Sequence, residues 1–129
     1  VNIPIVANGD ITCAEKAAQV LDYTGADGIM IGRAAQGRPW IFREINHYLA
    51  TGTKLAAPSL DEVRSILIEH VMELHKFYGE FMGLRFARKH VSWYMQVHDQ
   101  EKTFRSKFNG LESANEQLAL LNLYFDNLT

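Results

Sequence analysis

Apolar residues change their period along this chain. Ile3-Pro4-Ile5-Val6-Ala7 is a short, nearly continuous apolar run, the pattern of a strand covered on both faces of a parallel sheet. Pro4 is tolerable near a strand start and nowhere deeper, and Asn8-Gly9-Asp10 ends the run. Thr12 and Glu15 stand at capping-box spacing and predict a helix from about Cys13. That helix turns Ala17, Ala18 and Leu21 inward and stops near Thr24-Gly25, since glycine is favoured just past a helix end. Gly28-Ile29-Met30-Ile31 reads as a second strand. After Gly32-Arg33 and a small-residue turn, Pro39 suits the first turn of a helix from Trp40 to about Leu49, closed by Gly52.

Strand, helix, strand, helix at this spacing makes two successive βα units. Thr53 to Pro58 is a linker, and beyond it the strand signal vanishes. Ser59 and Glu62 form a second capping box, from which Leu60, Val63, Leu67, Val71 and Leu74 trace a helical stripe toward Tyr78 and Gly79. Another helix is expected from about Phe81 to His98 and a short one from Lys102 to Phe108. After Asn109-Gly110, Leu111, Ala114, Leu118, Leu121, Phe125 and Leu128 recur at three- and four-residue steps. The expected organisation is therefore α/β over 1–57 followed by an all-α part, a small helical bundle, over 58–129.

Composition narrows the class without naming a function. The chain has 129 residues, 47% hydrophobic and 22% charged, with a formal net charge of −2, which suits a globular domain. One cysteine, Cys13, excludes an internal disulfide framework and fits a reducing, cytoplasmic setting. No apolar run approaches the ~20 residues that span a bilayer, so no membrane partner is expected. The sequence opens at Val1, without methionine, inside a strand-like run, and a piece of something longer is the expectation. Charge is uneven: between Arg85 and Lys107 six basic residues face only Asp99 and Glu101, an electrostatic footprint inside an acidic chain.

Two places hold candidate chemistry. Gly32-Arg33 comes directly after a hydrophobic strand. A residue without Cβ lets backbone N–H groups approach an anion, a helix start just beyond adds unpaired donors, and arginine supplies a fixed charge with a phosphate-matching fork. Asn8-Gly9-Asp10 lies at the same carboxyl edge of the other strand, where parallel α/β folds bind ligands. It reads equally as an Asx turn and cap. The second place is the helix Gly83–His98. At about 100° per residue, Arg85, Arg88, Lys89, Ser92 and Gln96 share one face, and Phe86, His90, Val91, Trp93, Tyr94 and Val97 cover the other. Three cations without an acid on that face suit phosphate contacts, which give affinity without reading sequence. His90, Trp93 and Tyr94 read as packing residues and Cys13 as structural. His70 and His75, five apart, do not make a helical metal pair, and no metal site is expected.

NGDI at 8–11, TGADGIMIGRAAQGRPWIFREI at 24–45 and RFARKHVSWY at 85–94 resemble the tRNA-dihydrouridine synthases, in particular the family's bacterial B branch. The resemblance runs in order along essentially the whole chain, as the carboxyl-terminal part of such an enzyme. It implies the last two βα units of a TIM (β/α)8 barrel holding FMN, followed by a helical domain that grips tRNA. The implied reaction reduces the C5–C6 double bond of a tRNA uridine, with NADPH as electron source. Asn8, Gly9 and Asp10 then match an FMN-contacting segment and Gly32-Arg33 the FMN phosphate clamp. Arg85, Arg88 and Lys89 belong to a positive surface facing tRNA, with no DNA partner implied. The family's proton-donating cysteine lies on an earlier loop and is followed by proline; Cys13 does not match it, so no catalytic residue is assigned. A barrel takes about 250 residues, and two of its strands alone expose edges that invite self-association. Two alternatives stand beside this reading: another FMN-binding barrel oxidoreductase acting on a small molecule, dihydroorotate-dehydrogenase-like, and a non-enzymatic helical RNA-binding module.

Overall fold

A computed structural model describes residues 3–96 and 102–128. Val97, His98, Asp99 and Glu101, which the sequence reading placed at a helix end and as balancing acids, lie outside the described residues. The chain divides into two compact units, Val1–Ala57 and Pro58–Thr129.

In the first unit, β1 (Val6–Asn8) pairs in parallel with β2 (Gly28–Met30), Val6 opposite Gly28 and Asn8 opposite Met30. The side chain of Asp27 fixes the start of this ladder. Its carboxylate accepts from the Ile5 amide at 2.8 Å, while its own amide donates to the Ile5 carbonyl at 2.8 Å. The connecting helix α1 (Ala14–Thr24) ends at Gly25, whose φ of 65° is the left-handed conformation expected of a glycine stop. Its start differs from expectation. Cys13, not Thr12, takes the cap position and makes no side-chain capping bond. Helix α2 (Ile41–Thr51) begins after Trp40, one residue later than Pro39 suggests, and closes on Gly52 at φ 74°.

Ile11, Ala17, Ile41 and Ile45 form the core of this unit, with Ile29 and Ile31 packed beside them. The expected burial of the strands on both faces is not found. Ile3, Ile5, Val6 and Met30 are exposed, because α1 and α2 supply one covering layer and the described residues supply no second. β1 also sits later than the apolar run, starting two residues past Pro4 and taking in Asn8.

The second unit is helical. Ser59 caps α3 (Leu60–Tyr94), accepting from the Glu62 amide at 3.2 Å, as its spacing predicts. Val63, Leu67, Val71 and Leu74 are buried along the first arm. At Gly79 the backbone leaves helical geometry (φ 79°, ψ 172°), and the second arm folds back on the first. His70 and His90 meet with ring centroids 4.5 Å apart, and the His70 Nδ1 lies 3.3 Å from the Tyr94 hydroxyl. The arms approach closely at Gly83, where a Cβ would lie 2.9 Å from the His75 Cα and 3.0 Å from the Leu74 carbonyl oxygen.

Two shorter helices close the unit: α4 (Thr103–Asn109) and α5 (Ala114–Leu128). Leu111 precedes α5, and Leu128 is exposed; the buried line is Gln117, Leu121 and Phe125. Gln117, fully buried, donates through Nε2 to the Leu84 carbonyl at 3.3 Å and accepts from His75 Nε2 at 2.6 Å. One amide thus joins both arms of α3 to α5, which satisfies a polar group that would otherwise be costly to bury. Burial pushes the His70 and His90 imidazoles below their usual range, helped at His90 by His70 and then Lys89. A histidine depressed in the fold takes up its proton more readily when unfolded, so this stabilisation is complete above about pH 6.5 and declines as pH falls. Burial raises the Tyr94 phenol to about 12.

Replacing Gly83 with alanine gains about 1 kcal/mol of helix propensity. Against this, an extra carbon must be forced between two backbones, at about 1–3 kcal/mol. Backbone atoms cannot rotate away, so the upper part of that cost applies, and the expected net is a loss on the order of 1–2 kcal/mol in urea unfolding. An unchanged or higher midpoint contradicts the close approach.

Candidate functional site

The parallel register brings the carboxyl ends of β1 and β2 to one edge, and the two candidate loops leave from there. After Asn8 a three-residue turn, closed by the Ile11 amide on the Gly9 carbonyl at 2.8 Å, drives Ile11 into the core at 1% exposure. Asp10, inside that turn, is left pointing outward with its side chain 81% exposed. After β2, Gly32 opens a 3-10 turn over Arg33–Ala35, its carbonyl accepting from the Ala35 amide at 3.1 Å. Ala34 and Ala35 pack against the core, while the Arg33 side chain stays 83% exposed. In the first loop buried Ile11, and in the second half-buried Ala34 and Ala35, anchor the backbone, and a charged neighbour faces out.

Asn8, Gly9, Asp10, Gly32 and Arg33 together line an open cleft of about 400 Å³, within the roughly 300–1,000 Å³ typical of small-molecule sites. These are the five residues that the sequence singled out on the two loops. One interaction there was not foreseen: Arg33 Nη2 donates to Asp10 Oδ1 at 2.8 Å. Such an exposed pair contributes little to stability. A guanidinium has five N–H donors, and a single carboxylate oxygen leaves most of the fork for another anion. The expected helix start beyond Gly32 is corrected. Gly32 leads into a 3-10 turn of three residues, too short to align the dipole of a full helix. The fixed charge of Arg33 and the open approach past Gly9 and Gly32 therefore carry the site. Neither glycine has an atom within 4 Å of where a Cβ would stand, so the cleft is unobstructed at both.

A second cavity of about 180 Å³ lies in the same unit, lined by Cys13, Glu15, Arg38, Glu44 and Lys54 among others. Its charges pair internally: Lys54 Nζ to Glu15 Oε1 at 2.9 Å, and Arg38 Nη2 to Glu44 Oε1 at 3.3 Å. The hydrogen bond from Lys54, and after it one from Cys13, holds the Glu15 carboxyl below its usual range, and Glu15 in turn raises Lys54. Cys13 is half-buried at the start of α1 beside this pair, consistent with a structural role. Among the described residues no group of histidine, cysteine or carboxylate side chains could hold a metal ion.

The basic face of the helical unit is less uniform than its spacing suggests. Arg85 and Lys89 are exposed, but Arg88 is half-buried and donates through Nη2 to the Leu111 carbonyl at 3.0 Å. Its buried Nε has no hydrogen-bond partner among the described residues. Ser92 on the same face accepts from Arg105 Nη1 at 3.0 Å. Arg88 and Arg105 therefore tie the second arm of α3 to the α4–α5 segment, while Arg85 and Lys89 keep their charge toward solvent. The sequence excludes His75 from a metal pair but does not predict its bond to Gln117, nor the Ser113 cap of α5, which accepts from the Glu116 amide at 3.1 Å. Ser113-Ala-Asn-Glu116 repeats the capping-box spacing and could have located the start of α5.

Known proteins match this chain across both units. The family model described as "Dihydrouridine synthase (Dus)" matches residues 1–129. The chain is 64% identical over 128 residues to a tRNA-dihydrouridine synthase B of Pectobacterium carotovorum, covering 99% of this chain and 40% of that protein. Proteins of the same name from Serratia marcescens and Vibrio cholerae are 62% and 57% identical, covering 100% and 99% of this chain and 39% and 40% of theirs. The chain thus spans about 40% of the length of the curated relatives it matches.

The division between Arg88 and Lys89 can be measured. Arg88→Ala loses a charged hydrogen bond and is expected to cost about 1–2 kcal/mol, discounted by the unpartnered Nε it removes. Lys89→Ala should stay within about 0.5 kcal/mol of the parent. Urea unfolding monitored through Trp93 in a Trp40→Phe background distinguishes them. Equal midpoints for the two variants contradict the structural role of Arg88.

Proposed function

This chain belongs to the dihydrouridine synthase family, and from that premise we propose that it is the carboxyl-terminal part of an FMN-dependent tRNA-dihydrouridine synthase. The proposed enzyme reduces the C5–C6 double bond of a tRNA uridine, with NADPH as electron source. The observation that carries the reading is the cleft shared by Asn8, Gly9, Asp10, Gly32 and Arg33, because its donor chemistry suits the phosphate end of a flavin nucleotide. Arg33 offers a bidentate fork to a phosphate dianion. Gly9 and Gly32 let backbone N–H groups come close, and Asn8 adds a side-chain amide able to donate or accept. When bound, FMN supplies the hydride chemistry of a flavin, and the residues here hold its distal end in place. Asp10 neutralises Arg33 until a more highly charged anion competes for the guanidinium.

On this reading residues 1–57 are the last two βα units of a (β/α)8 barrel. Their strand ends form the loops that such barrels use for phosphate. The exposed Ile3, Ile5, Val6 and Met30 support further strands beside β1 and β2, or self-association where those are missing. Residues 58–129 are the tRNA-gripping domain, with Arg85 and Lys89 facing phosphates and Arg88 acting through the packing beneath them. No helix among the described residues is long and apolar enough to cross a membrane, so nothing there opposes a cytoplasmic enzyme. The name carried by the relatives favours a tRNA uridine over a small-molecule substrate.

Arg33→Ala in the full-length protein removes hydrogen bonds to a charged group, each worth about 1.5–3 kcal/mol. FMN affinity should fall roughly ten- to hundredfold, measured as flavin content after purification and by fluorescence titration. A variant that purifies fully loaded refutes the clamp.

A further inference from the structure

The turn of the helical hairpin carries aromatic side chains that the packing of the unit does not use. On either side of Gly79, Phe77 and Phe81 keep 80% and 74% of their surface exposed. Tyr78 joins them: its ring meets Phe77 edge-on at 4.8 Å and lies across Phe86 at 4.3 Å. The Arg85 guanidinium sits over the Phe81 ring, 5.6 Å from its centroid. Phe81, Arg85 and Lys89 succeed one another at steps of four along the second arm of α3, which aligns them in one stripe, and all three are exposed. The acid in this stretch, Glu80, is engaged elsewhere, its carboxylate accepting from the Ala114 amide at 2.9 Å.

We propose that this cation-edged aromatic tip is a stacking platform for unpaired nucleotides of an RNA. Phe81 and the Arg85 guanidinium receive a base, and Arg85 and Lys89 meet the adjoining phosphates. Charge selects the occupant. Cores of protein–protein interfaces are depleted in lysine, whereas sites for single-stranded nucleic acid combine backbone-tracking cations with aromatic rings. Bases splayed from RNA loops stack on aromatic side chains and on arginine planes, and bases inside a duplex do not present that face. Two cations hold few phosphates, so stacking supplies most of the affinity of this patch. The inference rests on the tRNA reading above and adds which nucleotides are gripped: unpaired ones at the hairpin tip, in addition to any backbone contact along the basic face.

The test uses the full-length protein and unmodified tRNA, titrated over the same series of salt concentrations for every variant. Phe81→Ala should weaken binding about tenfold and leave the dependence on salt unchanged. Phe81→Tyr should bind as the parent does, and Phe81→Leu, apolar but without a ring, should be as weak as alanine. Lys89→Glu should instead lower the salt slope by about one. If the parent binds tRNA and Phe81→Ala binds equally well, the platform is wrong and the tRNA reading survives. A parent that binds no tRNA overturns both. Parent-like binding by Phe81→Leu also overturns the platform, as does a thermal midpoint several degrees lower in Phe81→Ala, since either marks a surface covered by protein.

Discussion

The parallel pairing of β1 with β2 is the constraint on which the candidate site depends. A parallel pair cannot be joined by a tight turn, so a helix must cross between the strands, and both carboxyl ends then emerge at one edge. Asp27 pins the ladder through two bonds to Ile5, and the register Asn8 opposite Met30 sets Gly9 and Asp10 near Gly32 and Arg33. A slip of one residue would turn the side chains of a strand to its other face and would dissolve the cleft. Ile11 on one loop and Ala34 and Ala35 on the other bind that edge to the core. The charged residues beside them are thereby fixed without being buried.

The helical unit solves a different problem, because its elements share one chain reversal. Gly79 supplies the reversal and Gly83 the room for two backbones to pass. Gln117 then closes the space between the arms and α5 with a pair of hydrogen bonds. Arg88 belongs to this framework and not to the solvent-facing charges, although one sequence position separates it from Lys89. Solvent-facing charge and packing are interleaved on the same helix face.

Much of this was legible in the residues. Glycine stops at Gly25 and Gly52 and the Ser59 cap come from local rules, since each depends on neighbours in sequence, and the shared strand edge of the two loops follows from the βα order. What escaped depends on neighbours in space. Periodicity placed Arg88 with Arg85 and Lys89 because it cannot see the Leu111 carbonyl, more than twenty residues away, that draws the side chain inward. It likewise missed Gln117, whose polarity is satisfied by His75 and Leu84. The bond between Asp10 and Arg33 joins two loops separated by a whole helix, and no spacing rule forecasts it. The expected two-sided burial of β1 failed because an apolar run records what a strand is suited to contact, while the described residues cover it from one side.

The proposed role of Arg33 and the loops beside it is to recognise a phosphate. Comparing FMN with riboflavin, which lacks that phosphate, isolates the contribution. Binding of both flavins should be titrated in the full-length parent and in Arg33→Ala. The parent should prefer FMN strongly, and the substitution should remove most of this preference while leaving riboflavin affinity nearly unchanged. An equal loss for both flavins, or a preference for FMN that survives without Arg33, would contradict it.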